Sequence, residues 1–446
     1  MKKIIVMGLQ YDLNYGDPLL MECIATSICR SFKVCGELSL LERDIASTSE
    51  SPSYSIVAER QLEKRGGGDD FIVEFVDFFG RSSFSQQLLS YNDYRIAVGP
   101  FKLIKKMKDC YHFFSRTLIK VKRKNPYYDE KITIKSETEI RKNLGKMYDA
   151  YFKDADLVLI SGAGTLKYDV RLNFGPFYKV ISEYAQKNNV PCVINAIGVE
   201  SRYNNDDYRC TQFSKTLSNS IFKIISTRDD LVELKKYVDN PKTEIFKVAD
   251  PGILASYIYN ISKDNLSDTV GVGIIDYERF TEFHRGISRK DYIRTIIGII
   301  NNLNKSNQEW KLFTNGDVGD TMCAYEIAER LKVTPDKYVV IPRNPKNLVE
   351  IISSFKGLIT SRLHSTIIAY SLNIPFVAIS WNNKLSYFAE NIGCLDRIFD
   401  KDSLNPDLII AGLNTALKEG FDNERRFELS KSIENAFKQY LKLLEV

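Results

Sequence analysis

Residues 357–388 read GLITSRLHSTIIAYSLNIPFVAISWNNKLSYF, and this stretch indicates the class of fold. A short apolar run ends at Thr360, a second one spans Pro375–Ser380, and an apolar segment of helical length, Thr366–Leu372, lies between them. Apolar runs of this length are typical of strands buried on both faces of a parallel sheet, and successive parallel strands need a crossover helix. The stretch therefore predicts a strand, a helix and a second strand of one parallel sheet.

The same alternation of strands and helices occurs in two series along the chain. The first series opens with the apolar run Lys3–Leu9 and resumes at Asp156–Ser161, and the second opens with TVGVGIID at residues 269–276. Two such series predict an α/β protein of two Rossmann-like domains whose parallel sheets face a cleft. The predicted domains are residues 1–257 and residues 268–446, and the second of them includes a closing helix.

A segment at about residues 45–150 differs in composition and is interpreted as an insertion into the first domain. Within it, residues 102–124 carry nine basic residues and one acidic residue, with aromatic side chains among them. This composition is typical of a helix at an anionic membrane surface. It is equally typical of a solvated surface helix whose apolar side packs on the first domain, so both interpretations stay open.

Composition and charge exclude several classes of protein. The 446 residues carry 62 basic and 57 acidic side chains, and the net charge of +5 is too small to predict nucleic-acid binding. No apolar run approaches the roughly 20 residues of a membrane span, and the N-terminal run is too short for a signal peptide. We therefore expect a cytoplasmic protein, at the inner face of the membrane if the basic segment binds there. The eight cysteines have no CxxC pair and no zinc-type spacing, so they predict buried thiols and no metal site.

Three loops of the first series follow strands and carry residues suited to a ligand. Ligands of such folds bind at the carboxyl ends of the strands, where glycines admit a close approach and helix N-termini attract anions. Glycine turns with a nearby acid also suit an ordinary connection, whereas a basic residue beside a helix start indicates an anionic ligand or an ion pair with Asp229. The candidate residues are Asn14, Gly16 and Asp17 in NYGDPLL, Gly162, Gly164 and Asp169 in GAGTLKYD, and Arg228 in STRDD.

The loop between the two apolar runs of residues 357–388 has the most specific pattern. Hydroxyl groups, backbone amides, a guanidinium and an imidazole follow one another at the predicted N-terminus of a helix, and such a set binds phosphate or carboxylate. One of the three histidines of the chain lies here, and its neighbours favour a functional role. The candidate residues are Ser361, Arg362, Leu363, His364 and Ser365, with Lys384, which is alternatively a solvated lysine, just past the next strand.

Taken together, these motifs resemble those of the polysaccharide pyruvyl transferase family. The similar segments, in the family's order, are NYGDPLL, SGAGTLKYD, INAIGVES, STRDD, VADPGIL, SRLHS and PFVAISWNNKLSYF, within residues 1–35 and about 155–395. The resemblance implies a fold like that of the GT-B glycosyltransferases. It also implies phosphoenolpyruvate as the donor, a sugar or lipid-linked sugar as the acceptor, a pyruvate ketal as the product and no further cofactor. The residues it implies as functional are Asp169, Arg228, Leu363 and His364, with Arg362 and Lys384 touching the donor.

The chain departs from the family pattern at three places. It has GAGT where an all-glycine turn is expected, and GVGIID at a place where the family often has an arginine near Asp276. The segment at about 45–150 is also longer and more basic than the pattern. These departures concern mainly the acceptor.

The resemblance leads to a mechanism as a hypothesis. The donor carries a phosphate and a carboxylate, so we expect three cationic side chains and the helix N-terminus after Ser361 to hold it. We expect His364 to act as the general acid or in the step in which phosphate leaves, and Asp169 as the base on the acceptor hydroxyl, without a metal, because arginines provide the charge. The three cations are Arg228, Arg362 and Lys384.

Two alternatives to this mechanism stay open. A GT-B glycosyltransferase that uses a nucleotide sugar has the same predicted fold. A family member without catalysis could serve as a binding protein, because a shared fold does not by itself establish a reaction.

Overall fold

The computed structural model describes most of the chain as two compact units. The first unit comprises Met1–Tyr11, Ile24–Val248 and Ile433–Val446, and the second comprises Asp12–Cys23 and Ala249–Ser432. Asp169 and the basic segment 102–124 lie outside the described residues. The described ranges are residues 2–9, 14–31, 53–58, 71–77, 126–168, 173–282 and 286–444.

The first unit is built on a sheet whose described strands are β1 (Lys2–Gly8), β2 (Ser53–Ala58), β3 (Phe71–Asp77), β4 (Leu157–Ser161), β5 (Cys192–Ile197), β6 (Phe222–Thr227) and β7 (Glu244–Lys247). Their order is β2-β3-β1-β4-β5-β6-β7. Neighbouring strands run parallel except β2 and β3, which pair antiparallel. Strand β4 reads LVLIS and is buried along its whole length, as expected for a parallel strand covered on both faces.

Helices connect and cover these strands. Among the described residues they are α1 (Gly16–Ser31), which begins in the second unit, α2 (Pro126–Phe152), α3 (Gly175–Lys187), α4 (Tyr208–Leu217) and α5 (Leu231–Lys236). Tyr178 of α3 and Phe213 of α4 pack with their ring centroids 5.3 Å apart. Both rings belong to a hydrophobic cluster of the first unit, which also holds Val158 and Ile160 of β4 and Ile194 of β5.

Part of the segment interpreted as an insertion is integral to this unit. Strand β3 pairs with β1 over its full length, from Phe71 opposite Lys2 to Asp77 opposite Gly8. Arg141 of α2 holds Glu183 of α3 through two hydrogen bonds of 2.9 and 3.0 Å. The pairing of β3 joins residues far apart in the sequence, so local composition around residues 45–150 did not reveal it.

The second unit is built on a parallel sheet whose described strands are β8 (Val270–Gly273), β9 (Trp310–Phe313), β10 (Val339–Val340), β11 (Gly357–Thr360), β12 (Phe376–Ile379) and β13 (Ile398–Phe399). Their order is β10-β9-β8-β11-β12-β13, and every pair runs parallel. Two largely parallel sheets with intervening helices confirm the predicted α/β class.

The helices described for this unit continue the series. They are α6 (Ala255–Ile258), α7 (Glu278–Glu282), α8 (Arg289–Lys305), α9 (Val318–Leu331), α10 (Pro335–Tyr338), α11 (Pro345–Ser353), α12 (Leu363–Ser371), α13 (Asn383–Asn391), α14 (Pro406–Glu419) and α15 (Asn423–Leu441), whose last residues belong to the first unit. Within the described ranges, none of the helices is long and apolar enough to cross a membrane.

The strand, helix and strand predicted from residues 357–388 are confirmed. Strands β11 and β12 pair in parallel, with Leu358 opposite Phe376, and α12 connects them. Every residue of α12 is buried, and this all-round burial explains why the segment is apolar rather than amphipathic.

The compact units differ from the predicted ranges of 1–257 and 268–446 at three places. The change of unit falls after Val248, the end of the chain from Ile433 returns to the first unit, and residues 12–23 belong to the second unit. The last difference has a visible cause in the loop before α1. There the backbone amide of Tyr15 donates to the carbonyl of Asn315, at 2.9 Å, which ties the loop to the end of β9.

Candidate functional site

The carboxyl ends of β9, β11 and β12 bring polar side chains together in the second unit. Because these strands are parallel, the residues that follow them lie along one edge of the sheet. Asn315 follows β9, Ser361 follows β11 and Asn382 follows β12, and their exposed fractions are 1%, 1% and 4%. The indole Nε1 of Trp381 donates to the carbonyl of Ser361 at 2.6 Å, which joins the last two strand ends.

Two of these residues hold an amide group that is buried without a partner. Asn315 accepts a 2.5 Å hydrogen bond from Ser365 at Oδ1, and Asn382 accepts one from the backbone amide of Lys384 at Oδ1. Their Nδ2 groups have no hydrogen-bond partner among the described residues. An unpaired buried donor costs about 1–3 kcal/mol, so two of them at one sheet edge indicate a place where a ligand accepts hydrogen bonds.

Helix α12 begins at the same edge. Its N-cap residue is Arg362, whose side chain makes no capping hydrogen bond, and Leu363, His364 and Ser365 form its first turn. The amides of a first helical turn lack partners within the helix and carry a partial positive charge. Arg362 and the first turn of α12 are therefore buried together at this sheet edge. Binding of an anion there stays a prediction.

His364 is held by the loop of residues 14–17. Gly16 lies against the imidazole so closely that an added Cβ atom would come within 2.2 Å of Nδ1, hence glycine is required there. Asp17 places Oδ1 3.9 Å from Nδ1 of His364, and its Oδ2 accepts a 3.1 Å hydrogen bond from Asn14. Gly16 and Asp17, which were predicted as part of a ligand loop, thus lie beside His364, and Asn14 holds Asp17.

Arg362 is engaged inside the second unit. Its Nε donates to Oδ2 of Asp320 at 2.7 Å and its Nη2 donates to Oδ1, while Oδ2 of Asp317 lies 3.8 Å from Nη2. Burial acts to lower the pKa of the guanidinium, but the two carboxylates raise it above its ordinary value. Arg362 therefore ties the end of β11 to the start of α9, and its contact with a donor stays a prediction.

Asp317 is ionised by its surroundings. Burial alone would raise the pKa of its carboxyl group, but Arg362 and Arg279, together with the backbone amides of Asp320 and Gly319, hold the pKa below its ordinary value. The same carboxylate caps α9 by accepting a 2.9 Å hydrogen bond from the amide of Gly319.

Lys384 is half-buried in the first turn of α13, past the end of β12, as predicted.

The strand ends of the first unit are arranged differently. A Cβ atom on Gly162 would come within 2.2 Å of the carbonyl oxygen of Ala196, so the β4 loop packs directly on β5. Thr165, one of two residues that depart from an all-glycine turn, donates from Oγ1 to the carbonyl of Gly162 at 2.6 Å and bonds the hydroxyl of Tyr178 at 2.7 Å. Gly162 and Gly164 thus belong to a turn closed by protein contacts.

Arg228 follows β6 and is 4% exposed. Its Nε lies 4.0 Å from Oδ1 of Asp229, whose other oxygen accepts a 3.0 Å hydrogen bond from the amide of Val199. The ion pair with Asp229 considered from the sequence is therefore present at long range. Arg228 belongs to the first unit and His364 to the second.

Several residues of the site were missed by reasoning from sequence. Asn315 and Asp320 lie in TNGDVGD after β9, which has the same strand, glycine and acid pattern as the predicted loops. Asn382 lies within residues 357–388, two positions before Lys384, where an asparagine is an ordinary N-cap. Among the described residues, no group of three or more His, Cys, Asp or Glu side chains is placed to hold a metal ion.

Fold and site define an α/β protein of two mainly parallel sheets with polar groups gathered at the strand ends. A family model described as polysaccharide pyruvyl transferase matches residues 59–383. The chain therefore belongs to the polysaccharide pyruvyl transferase family, which confirms the resemblance seen in its motifs. Membership makes it a transferase of polysaccharide biosynthesis.

The solved structures to which this chain is similar include the following three. A UDP-GlcNAc 2-epimerase of Methanocaldococcus jannaschii is 11% identical, with 98% of this chain and 99% of that chain covered and a TM-score of 0.49. The UDP co-structure of S. aureus MnaA is 12% identical, with coverages of 99% and 98% and a TM-score of 0.47. A UDP-GlcNAc-bound 2-epimerase of Neisseria meningitidis is 11% identical, with coverages of 100% and 99% and a TM-score of 0.47. The comparison with curated proteins found no match.

Proposed function

We propose that this transferase moves the pyruvyl group of phosphoenolpyruvate onto two hydroxyls of a sugar, forming a ketal and releasing phosphate. The observation that carries the proposal is the pair of buried amide groups, Nδ2 of Asn315 and Nδ2 of Asn382, beside the first turn of α12 and His364. Amide donors and a helix N-terminus suit the oxygens of a phosphate or carboxylate. The family membership supports the same class of reaction.

Several groups bind the negatively charged phosphoenolpyruvate in this proposal. Asn315 and Asn382 donate hydrogen bonds, the N-terminus of α12 adds a partial positive charge, and Lys384 adds a full one. Because Asp320 already balances the charge of Arg362, that arginine holds the loop in shape instead of neutralising the donor. Arg228 of the first unit is proposed to bind the donor as well.

The reaction adds one proton to the donor and removes one proton from each of the two acceptor hydroxyls. His364 as the general acid protonates the methylene carbon of phosphoenolpyruvate, and one acceptor hydroxyl adds to the neighbouring carbon while losing its proton. The bond from that carbon to the phosphate oxygen then breaks, phosphate leaves, and the second hydroxyl closes the ketal and loses its proton. Asp169, which lies outside the described residues, stays the predicted base for the acceptor hydroxyl.

A binding experiment tests the proposed site. We expect phosphoenolpyruvate and inorganic phosphate to raise the melting temperature of the protein. In Asn382→Asp the affinity for each of these two ligands should fall about 10- to 100-fold, because one charge-assisted hydrogen bond is lost. The variant keeps the Oδ1 atom that caps α13, so its stability tests the cap separately. Asn195→Asp makes the same change at a buried asparagine of the first unit and should leave phosphate affinity unchanged.

The outcome also separates the proposed reaction from its alternatives. Stabilisation by UDP or GDP without any by phosphoenolpyruvate would favour a glycosyltransferase that uses a nucleotide sugar. Binding of phosphoenolpyruvate without phosphate release on a panel of sugar acceptors would favour a binding protein. Unchanged phosphate affinity in Asn382→Asp would remove this asparagine from the site.

The acceptor is proposed to be a sugar, lipid-linked if the basic segment 102–124 meets a membrane. Nine basic residues in that segment would bind anionic lipid headgroups and release them at high salt. Sedimentation with anionic and neutral liposomes, at low and high salt, measures this. Equal sedimentation with both kinds of liposome would leave the solvated-helix interpretation.

A further inference from the structure

We propose that Asp17 is a positioning residue that keeps the proton of the neutral His364 imidazole on Nδ1, so that Nε2 is the atom that exchanges protons. The catalytic meaning of this inference rests on the proposed function, whereas its structural content does not. It assigns to the loop of residues 14–17 the task of orienting the histidine, in place of the direct contact with a ligand that the sequence predicted.

The first observation is the distance between the two groups. Oδ1 of Asp17 lies 3.9 Å from Nδ1 of His364, and the two side chains are only 16% and 8% exposed. This separation is too long for a hydrogen bond, but a carboxylate at such a distance in a largely buried place acts strongly on a neighbouring charge or dipole. Its field favours the tautomer that presents an N–H group to it.

The second observation is that Asp17 is itself held in place. Its Oδ2 accepts a 3.1 Å hydrogen bond from Nδ2 of Asn14, and its backbone amide donates to the carbonyl of Asn14 at 3.0 Å. The residue between them, Tyr15, is tied through its amide to Asn315. The carboxylate is therefore held by Asn14 and keeps Oδ1 toward the imidazole.

The third observation is the contact of His364 with Gly16. The glycine leaves no room for even one carbon atom, since an added Cβ would lie within 2.2 to 2.4 Å of three atoms of the histidine. The ring is thus confined by backbone on its Nδ1 side while the carboxylate selects the tautomer. Such an acid–histidine arrangement is how many active sites fix which ring nitrogen carries the proton.

Nitrogen-15 NMR of the histidine side chains tests the inference directly. The chain has three histidines, His112, His284 and His364, so comparison with His364→Ala assigns the signal of interest. At a pH of about 8.5, where an ordinary imidazole is neutral, we expect Nδ1 to give a protonated-type and Nε2 an unprotonated-type shift. In Asp17→Asn the two shifts should move toward the opposite tautomer, which free histidine favours.

Control variants separate positioning from general effects. Asp336→Asn removes an exposed aspartate of α10 and should leave the His364 shifts unchanged. Asn14→Ala frees the carboxylate without removing it and should move the shifts partway. Should Asp17→Asn fail to fold, the tautomer of the wild-type protein still decides, because a proton on Nε2 would overturn the inference.

Turnover adds a second readout if phosphoenolpyruvate proves to be the donor. Asp17→Asn should then lower kcat about 10- to 100-fold with little change in KM for the donor, and Asp17→Glu should restore part of the rate. Unchanged nitrogen shifts in Asp17→Asn would overturn the inference whatever the substrate. Absence of pyruvyl transfer with the expected tautomer would contradict only the proposed function.

Discussion

The loop after β4 in the first unit bonds its buried hydroxyl group to protein atoms, whereas the loops after β9 and β12 in the second unit hold buried amide donors without a partner among the described residues. In the first unit Thr165 bonds both Gly162 and Tyr178, and the carboxylate of Asp229 accepts from Val199. In the second unit Nδ2 of Asn315 and Nδ2 of Asn382 are unpaired within the described residues.

An asparagine of the first unit sharpens the comparison. Nδ2 of Asn195 in β5 is also unpaired in the described part of the chain, although its Oδ1 accepts a 3.0 Å hydrogen bond from Tyr440. This asparagine lies inside a strand and not in the loop after it. We therefore expect a ligand at the sheet edge of the second unit, where the buried amide donors lie in the loops after the strands.

The largest effect is expected from His364→Ala. Loss of a general acid lowers the rate of turnover by roughly 100- to 10,000-fold, while binding of phosphoenolpyruvate falls only modestly. Release of phosphate in the presence of a sugar acceptor measures the rate, and calorimetry measures the binding. Normal turnover in this variant would show that His364 is not the general acid. It would contradict the assignment of the reaction to the second unit.

Arg362→Ala should mainly affect stability. The guanidinium is bonded through two nitrogens to the buried Asp320, and removal of one partner of such a pair costs about 3–5 kcal/mol. Urea unfolding measures the loss, and a double variant with Asp320→Leu should recover part of it because no charge is then left buried. A stable single variant with lost donor affinity would instead assign Arg362 to the donor.

Arg228→Ala should show the opposite pattern in the first unit. Its ion pair with Asp229 is long, at 4.0 Å, so we expect little change in unfolding free energy compared with Arg362→Ala. Affinity for phosphoenolpyruvate should fall about 10- to 100-fold if the guanidinium binds the donor. Equal destabilisation by the two arginine variants would mean that both are structural.

The smallest effect concerns the pH dependence that Asp317 contributes. Its pKa is lowered in the folded protein, so its ionised form adds stability above the unfolded value of about 3.9, and this is lost as the pH falls through the lower folded value. Asp317→Asn keeps the cap of α9 and removes the charge, at a cost of about 0.5–1 kcal/mol near neutral pH. Acid titration of both proteins should bring their stabilities together once the pH has fallen below the lowered pKa of Asp317 in the folded protein.

Sequence by itself determined the class of fold, the family and the position of the most specific loop. Strands such as β4, β11 and β12 are short and mostly apolar because both faces of a parallel sheet are buried, and that property is local to each strand. The SRLHS loop could be recognised for the same reason, since its polar residues follow one another directly after a strand.

Only the tertiary structure decided which of these residues work together. Arg362 and Asp320 are 42 positions apart in the sequence, and Asp17 and His364 are 347 positions apart. No local sequence pattern predicts either of these contacts. The pairing of β3 with β1 and the placing of residues 12–23 in the second unit are of the same kind. Hydrogen bonds and ion pairs depend on distance in space, so which polar groups are satisfied and which are left for a ligand follows from packing.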